Sequence, residues 1–410
     1  MRSNSPWGRI AGLVLFLVVL ALARPQFPTL ADSAAFTVSS LPSPAGANSS
    51  EPQLTIQGDR VILSWLEVNG ARATLRFAER TASGWSAPQS VFSGNSFFVN
   101  AYDVPSVHAL ADGTLAAHWI ETNGADSDSD ASKVRLSWSK DQGHTWSRPV
   151  SPHHDGTQTE HGFVSLFQAP GSGLGLVWID GRATDPEKET GDMSLRASVY
   201  DSEGKQLRET VVVPRVCECC STAAAATPEG EIVAFRGRSA TEVRDIYVAR
   251  FAAGRWSAPT LVHDDGWRIE ACPINGPAVS ANGREVAVAW FVAKNDQGRA
   301  FVAFSHDAGR TFAPPVRVDD TSSLGRLGVQ MLDDGSAAVT WIEFANQHSQ
   351  FRVRRVSPSG VRSSAVTVAE TSGGRYPRMA RVRNELLFSW TDMESGPSRV
   401  KTARASIEGK

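Results

Sequence analysis

The four cysteines are the most concentrated group of reactive side chains in the chain. Three of them lie in the segment Cys217-Glu-Cys219-Cys220, and the fourth is Cys272. Cysteine thiolates form disulfides, exchange with other disulfides and bind soft metal ions. In an oxidising compartment an even number of cysteines indicates disulfides, and four cysteines allow three pairings.

Disulfides that use all four cysteines are the first interpretation. A Cys217–Cys272 bond would leave Cys219-Cys220 to form a bridge between sequence neighbours, and either other pairing would also join the two segments. The alternative is a thiolate site for copper or zinc formed by the same cysteines, with His161 or His263 as an extra ligand. A redox-active thiol site is the third. If disulfides form, we expect no cofactor.

A second group of candidate residues precedes a series of short apolar strands, and each strand is preceded by a different polar group. These groups are Glu51, Tyr102-Asp103, Glu160-His161, the cysteine segment, Cys272, Gly325-Arg326 and Arg375-Tyr376. Polar groups that differ between repeats indicate a binding site, because structural roles would repeat.

A third group follows strand ends. Carboxylates stand two positions after an aromatic residue at Glu67, Glu121, Asp180, Glu343 and Asp392. A repeated carboxylate suits a structural role, accepting backbone N–H bonds from a neighbouring loop, and it also suits a ring that binds a cation or a polar ligand. Asp180-Gly-Arg182 and Arg236-Gly-Arg238 add guanidinium groups, which bind carboxylates and phosphates through a planar donor fork.

These groups together predict a site for a small anionic or carbohydrate ligand, or for a protein partner. The predicted ligand-binding residues are Glu160, His161, Asp180, Arg182, Arg236, Arg238, Arg326 and Arg375.

The elements that must position these residues recur along the chain. Short alternating strands end in an aromatic residue at intervals of 49 to 59 residues, at Trp65, Trp119, Trp178, Phe235, Trp290, Trp341 and Trp390. A period near 50 built of short strands is typical of a β-propeller with one four-stranded sheet per blade. The sequence therefore predicts an all-β protein, a seven-bladed propeller, in which Cys217 and Cys272 occupy equivalent positions on adjacent blades.

Two octets follow alternating strands and share one pattern. They are Ser139-x-Asp141-x-Gly143-x-Thr145-Trp146 and Ser305-x-Asp307-x-Gly309-x-Thr311-Phe312. The pattern predicts a tight turn in which Asp accepts backbone N–H bonds and Gly takes positive φ.

The octets resemble the Asp-box, or BNR repeat, of the sialidase superfamily. The resemblance implies a β-propeller in which the box stabilises the fold away from the active site. Because sialidases have six blades, a six-bladed propeller is the runner-up.

The resemblance also implies which residues a sialidase activity would need. That family binds the sugar carboxylate with three arginines, the first in a Phe/Tyr-Arg-Ile-Pro motif, and uses a Tyr nucleophile and an Asp acid. The motif is absent here, and the closest string is Arg375-Tyr376-Pro377-Arg378. We therefore expect a binding protein rather than an enzyme. The alternative is an exo-α-sialidase-type glycoside hydrolase with an acid, a nucleophile and an arginine clamp at Asp103, Tyr376, Arg182, Arg236 and Arg326.

The first residues predict export. Arg2 and Arg9 precede an apolar run from Ile10 to Ala23 that ends in Ala21-Leu-Ala23, which is the pattern of a cleaved signal peptide over residues 1–23. We expect a periplasmic or secreted protein in which residues 24–410 form one propeller domain, closed by a strand near residues 35–40.

Charge and composition exclude two classes of partner. The chain has 41 Lys and Arg against 43 Asp and Glu, so its net charge is −2. Since no basic stripe is present, we expect no nucleic-acid partner and no membrane contact beyond the signal peptide.

Overall fold

The protein is described from a computed structural model that covers residues 35–124, 130–169, 171–185, 187–188, 190–371, 375–393 and 396–407. The predicted signal peptide at residues 1–23 lies outside these ranges, so export stays a prediction. Within the same ranges no helix is long and apolar enough to cross a bilayer.

Seven antiparallel sheets make up the described part of the chain, which contains strands and no helices. The predicted seven-bladed propeller is therefore confirmed, and the six-bladed runner-up is wrong. The blades are numbered along the chain. Blade 1 contains β2 (Ser49–Gln57), β3 (Arg60–Asn69), β4 (Arg72–Thr81), β5 (Gly84–Trp85) and β6 (Gln89–Gly94); blade 2 contains β7 (Ser106–Ala109), β8 (Leu115–Thr122) and β9 (Ser132–Ser139); and blade 3 contains β10 (His161–Ala169), β11 (Gly173–Asp180), β12 (Ser194–Tyr200) and β13 (Gln206–Val213).

Blade 4 contains β14 (Ala223–Thr227), β15 (Gly230–Arg236), β16 (Ile246–Ala252), β17 (Arg255–Trp256) and β18 (Thr260–Leu261), and blade 5 contains β19 (Ala278–Asn282), β20 (Glu285–Lys294), β21 (Gln297–Ser305) and β22 (Val316–Arg317). Blade 6 contains β23 (Ser323–Met331), β24 (Ala337–Ala345), β25 (His348–Val356) and β26 (Val366–Thr371), and blade 7 contains β27 (Arg378–Val382), β28 (Glu385–Asp392), β29 (Arg399–Ile407) and β1 (Phe36–Leu41).

The first and last strands close the ring. Strand β1 pairs antiparallel with β29, from Phe36 opposite Ile407 to Leu41 opposite Thr402. The seventh sheet thus takes its outermost strand from the beginning of the chain. This pairing covers the edge of β29 that an open ring would expose.

The core lies between the blades, and the second strand of each blade supplies most of it. The indole rings of Trp65, Trp119, Trp178, Trp290 and Trp341 are fully buried. Alternation of side chains places these rings on one face of a sheet and small or branched residues on the other. The first strand of each blade faces a central channel, and the loops before these strands form the channel mouth.

Candidate functional site

The channel contains a cavity of about 380 Å³ that is lined by residues from all seven blades. Tyr102, Asp103, Phe163, Tyr376 and Arg378 are among these lining residues. The cavity is therefore the place where groups from distant parts of the chain meet.

Irregular backbone at the start of the inner strands aims side chains at the mouth. In β2, β10 and β23 the pairing register shifts near the strand start. At these shifts Glu51, Phe163 and Arg326 have φ of 53°, 56° and 58°. Non-glycine residues held in the left-handed region cost free energy and cluster at functional sites.

Asp103 is a buried carboxyl group beside the cavity. Its Oδ2 accepts a 2.7 Å hydrogen bond from the Phe163 backbone N–H. A Cβ on Gly162 would lie 2.0 Å from that oxygen, so only glycine leaves room for the carboxyl group. Burial raises the pKa of Asp103 to about 7, although N–H bonds from Phe163 and Val164 oppose the shift. Asp103 therefore carries a proton through most of the acidic range.

Arg326 lies between two tyrosine rings at the mouth. Its guanidinium carbon is 4.9 Å from the ring centroid of Tyr102 and 4.6 Å from that of Tyr376. Its Nη1 donates to the Tyr376 hydroxyl at 3.1 Å, and its buried Nε has no hydrogen-bond partner. Among the described residues no carboxylate forms an ion pair with Arg326.

Arg378 is a second guanidinium beside Tyr376, 5.4 Å from its ring centroid. Burial lowers the pKa of Arg378 to about 10, and its buried Nε also lacks a partner. In the ranges covered by the structure no acidic side chain pairs with it. Two half-buried guanidinium groups that have no carboxylate partner among the described residues are costly unless an anion compensates them.

Tyr376, the proposed nucleophile of the sialidase alternative, has no base beside its hydroxyl group among the residues that the structure describes. The hydroxyl donates to the Ile274 carbonyl at 2.8 Å and accepts from Arg326 and from the Gly276 N–H. None of these partners can take its proton, so the arrangement favours a binding role for Tyr376.

Glu160 and Arg375 also lie at strand starts. Burial raises the pKa of Glu160 to about 8, and the negative charges of Asp130, Asp103 and Glu218 raise it further. Arg375 forms an ion pair with the buried Glu51, joining the last blade to the first.

Three arginines predicted to bind ligand are held elsewhere by internal partners. Arg236 is 1% exposed and donates to the carbonyl oxygens of Asn275, Arg244 and Phe291. Arg182 pairs with Asp180 and Glu209, while Arg238 pairs with Glu242. The clamp of Arg182, Arg236 and Arg326 therefore does not form, because Arg182 is paired with carboxylates and Arg236 is buried among carbonyl oxygens.

The repeated carboxylates bind the buried indole rings. Glu67, Glu121, Asp180 and Glu343 each accept a hydrogen bond of 2.7 to 3.1 Å from the indole N–H of the Trp two positions earlier. Blades 4 and 5 lack this carboxylate, and neither blade has an indole N–H group that depends on it. Phe235 has no N–H group, and Trp290 in blade 5 donates to Asp265 from the preceding loop. Asp180, fully buried, is therefore structural, and the partner is an indole rather than a neighbouring backbone.

His161 is also internal, with no exposed surface. Its Nδ1 faces the carbonyl oxygens of Thr159 and Ser132, and its Nε2 lies 3.2 Å from Asp155 Oδ2. The stacked ring of His153, 3.9 Å away between centroids, completes this cluster. His161 cannot contact a ligand in the channel, which corrects its prediction as a binding residue.

The cysteines pair differently from the first interpretation. Cys219 is bonded to Cys272, with 6.0 Å between their Cα atoms, and Cys217 and Cys220 are free and buried. The expectation that all four cysteines form disulfides is wrong for Cys217 and Cys220, and the bond that forms belongs to the pairing that joins Cys219 to Cys272. Cys217 points into blade 4, where its Sγ lies 3.1 Å from that of Cys220.

The cluster of cysteine sulfur atoms is also poorly suited to binding a metal cation. The sulfur atoms of Cys217, Cys219 and Cys220 lie within 4.8 Å of one another, and neither His161 nor His263 belongs to this group. However, Cys219 is committed to its disulfide, and the guanidinium of Arg244 lies 3.3 Å from Cys217 Sγ. Copper or zinc binding stays a prediction.

Solved structures with a similar fold are found at low sequence identity. Polysaccharide lyase Uly1 is 10% identical over 87% of this chain and 90% of its own, with a TM-score of 0.53. The GH93 α-L-arabinofuranosidase of Fusarium graminearum is 10% identical over 91% and 98%, with a TM-score of 0.50. The NanB sialidase of Streptococcus pneumoniae is 8% identical over 89% and 95%, with a TM-score of 0.46.

The fold that this chain shares with the first two of these structures is a β-propeller. At these identities the likeness concerns the fold alone. No protein-family model and no curated protein matches the sequence.

Three residues that the sequence did not indicate also belong to the candidate sites of this propeller. Arg378 was part of the nearest motif string, but its position at the start of β27 gave no sign that it faces the channel. Asn275, whose side-chain oxygen accepts from the Arg326 backbone N–H at 2.9 Å, and Arg244 beside Cys217 lie in loops without a repeated pattern.

Proposed function

We propose that the channel mouth binds an anionic saccharide, and that the protein does so after export. The observation that carries this proposal is the pair of guanidinium groups, Arg326 and Arg378, that flank Tyr376 without a carboxylate partner among the described residues. A carboxylate or sulfate group on a sugar supplies the missing negative charge.

The other groups at the mouth suit a sugar ring. Tyr102 and Tyr376 present aromatic faces and edges, with their ring centroids 6.3 Å apart. Asp103 is protonated below about pH 7, so it can donate a hydrogen bond and does not repel the anion. A polysaccharide lyase and an arabinofuranosidase with bound arabinobiose share the fold.

Calorimetric titration with a galacturonate trisaccharide, 3′-sialyllactose and neutral maltotriose tests the proposal. We expect one of the two anionic probes to bind and maltotriose not to bind. Arg326→Gln should weaken that binding about 10- to 100-fold, since a hydrogen bond to a charged group contributes about 1.5 to 3 kcal/mol.

Arg383→Gln is the matched control. Arg383 lies on the β27–β28 turn with its side chain 76% exposed and paired with Asp59, so its loss should leave binding unchanged. Equal binding of maltotriose and the anionic probes, or full affinity in the Arg326 variant, would contradict the proposal.

Cleavage of a glycosidic bond is a second candidate. It is favoured by Asp103 and Glu160, whose raised pKa values keep a proton available near neutral pH, as a general acid requires. A panel of fluorogenic glycosides, with Asp103→Asn as the test variant, decides whether turnover accompanies binding. Turnover that persists in this variant would exclude Asp103 as the acid.

A further inference from the structure

The four sulfur atoms extend from the protein surface into blade 4. Cys272 is exposed, Cys219 is half-buried, and Cys217 and Cys220 are 0% and 1% exposed. Cys217 Sγ lies 3.1 Å from Cys220 Sγ and 3.9 Å from Cys219 Sγ. A buried dithiol is thus in contact with a disulfide whose other cysteine, Cys272, is exposed.

Two guanidinium groups lie near the sulfur of Cys217. Arg244 Nη1 lies 3.3 Å from this sulfur, although Arg244 is also paired with Glu218 and Glu242. Arg236 is buried nearby and donates to carbonyl oxygens. The hydrogen bond from Cys220, together with these guanidinium groups, lowers the pKa of Cys217, while burial opposes the shift. The thiolate is the nucleophilic form of cysteine.

Cys220 has the opposite environment. Burial raises the pKa of its thiol, and the neighbouring Cys217 raises it further. The two cysteines therefore differ in role, with Cys217 as the nucleophile and Cys220 as the thiol that holds the proton.

We propose that Cys217, Cys219, Cys220 and Cys272 form a thiol–disulfide exchange site that transfers two electrons from the buried dithiol to disulfide compounds in solution. This inference does not depend on the proposed saccharide binding. The proposal gives a chemical role to both cysteine pairs. A disulfide that only links blades 4 and 5 would not need the buried pair Cys217 and Cys220.

The transfer takes two internal steps. The Cys217 thiolate attacks Cys219 Sγ, forming a Cys217–Cys219 disulfide and releasing Cys272 as a thiolate. Cys220, having passed its proton to Cys272, attacks Cys217 and forms a Cys217–Cys220 disulfide with Cys219 as the leaving thiolate. The outer pair is then the reduced dithiol.

The outer pair completes the reaction in solution. The exposed Cys272 thiolate attacks a disulfide compound, forms a mixed disulfide and releases one thiol. Cys219 then attacks Cys272, restores the Cys219–Cys272 bond and releases the second thiol. In total the inner dithiol is oxidised to a disulfide and one external disulfide is reduced to two thiols.

The probe is 5,5′-dithiobis(2-nitrobenzoate), a disulfide that releases a coloured thiolate. The whole chain is first poised in a glutathione buffer and desalted, and two thiols per denatured chain are verified. We expect the native chain to release two equivalents of thionitrobenzoate. Two thiols that react only after denaturation would overturn the proposal.

Two variants identify the order of the steps. Cys217→Ser should release none while native, because the nucleophile is missing. Cys220→Ser should release one equivalent and retain a nitrobenzoate adduct on Cys272, which peptide mass mapping locates. An adduct on Cys217 instead would overturn the proposal. If the Cys217 variant does not fold, the wild-type protein and the Cys220 variant together still test the order of the steps.

Discussion

Arg326 and Arg378 lie beside Tyr376 without an acidic partner in the described part of the chain. A guanidinium removed from water loses hydration free energy that cation–π contacts of about 0.5 to 2 kcal/mol only partly offset. The arrangement stabilises the protein less than an ion pair would. It also leaves donor groups available for a ligand, which the carbonyl-bound Arg236 does not.

Binding of the galacturonate trisaccharide or of 3′-sialyllactose should depend on pH through two acidic groups. The pKa of Asp103 is raised to about 7 and that of Glu160 to about 8. Below these values both groups are neutral, and above them both are anionic and repel the ligand. Affinity should therefore decrease as pH rises through this range.

Titrations at pH values from about 6 to 9 check this expectation. Asp103→Asn should flatten the lower part of the decrease and Glu160→Gln the upper part. An affinity that does not change with pH would contradict a role for either carboxyl group.

The same shifts affect folding in a defined direction. Because the native state retains protons that the unfolded chain has released, the free energy of unfolding decreases as pH rises from about 4 towards these raised pKa values. The variants Asp103→Asn and Glu160→Gln separate the two effects of pH. Melting temperatures measured without ligand report the effect on folding, and the titrations report the repulsion of the ligand.

Residue types in the loops predicted part of this site. Asp103, Tyr376 and Arg326 were candidates because they stand where inner strands begin, and the structure brings them together at the mouth. Arg236 and Asp180 looked equivalent in sequence but point inwards. Whether a side chain points to the channel or into a blade depends on strand register and on local shifts in that register. The identity of a polar residue does not determine either.

At the scale of elements, the two octet turns repeat the same hydrogen bonds. Asp141 accepts from the Thr145 N–H and hydroxyl at 2.9 and 2.7 Å, and Asp307 accepts from Thr311 at the same distances. A Cβ on Gly143, whose φ is +90°, would lie 2.4 Å from the Phe77 ring of the adjacent blade. Each turn thereby fixes both a strand pair and a contact between blades.

Acid should weaken the octet turn around Asp141. Hydrogen bonds from Thr145 and Ser139 lower the pKa of Asp141 from 3.8 to about 2. A lowered pKa stabilises the native state above about pH 4, and the contribution is lost as pH falls towards 2. Asp141→Asn should lower the melting temperature at pH 7 and narrow the difference between pH 7 and pH 3.

Differential scanning calorimetry at several pH values measures this effect. Asp264→Asn is the matched control, because Asp264 is exposed and outside the turn. If both variants lose the same stability at each pH, the turn contributes nothing specific.

Strands were more predictable than their irregularities. The aromatic strands follow from alternating apolar residues, and the octets follow from turn residues whose conformations are restricted. At the register shifts of β2 and β10 the residues with positive φ are Glu51 and Phe163 rather than glycine, and at that of β23 Arg326 follows Gly325 in the same region. Tertiary contacts across the channel impose that backbone, so local sequence could not reveal it.

At the scale of the whole molecule, stability depends on closing the ring. Phe36 of β1 is 2% exposed and packs in the cluster shared by blades 6 and 7. Its loss should destabilise the protein by about 3 to 5 kcal/mol, the usual effect of Phe→Ala in a core. It should also free the edge of β29, which then pairs between molecules.

Urea unfolding and size-exclusion chromatography of Phe36→Ala check this expectation. Thr37→Ala is the control in the same strand, because Thr37 is exposed. Unchanged stability and a monomer in both variants would show that β1 is dispensable for closure.

The blade number followed from the regular spacing of aromatic residues, which one sheet per repeat imposes on the chain. The cysteine pairing did not follow, because Cys217 and Cys272 are equivalent by position yet Cys219 is the residue that faces the next blade. Position along a repeat predicts which blade a residue belongs to. Side-chain direction within a loop requires the packed structure.

The pairing of β1 with β29 also delays closure of the ring until synthesis of the chain is nearly complete. The ribosome makes Phe36–Leu41 first, and the partner strand Arg399–Ile407 follows roughly 360 residues later. At about 5 to 20 residues per second this interval lasts on the order of 20 to 70 seconds. Throughout it the nascent chain carries an unpaired strand at its leading end, and no truncated product of translation can complete the ring.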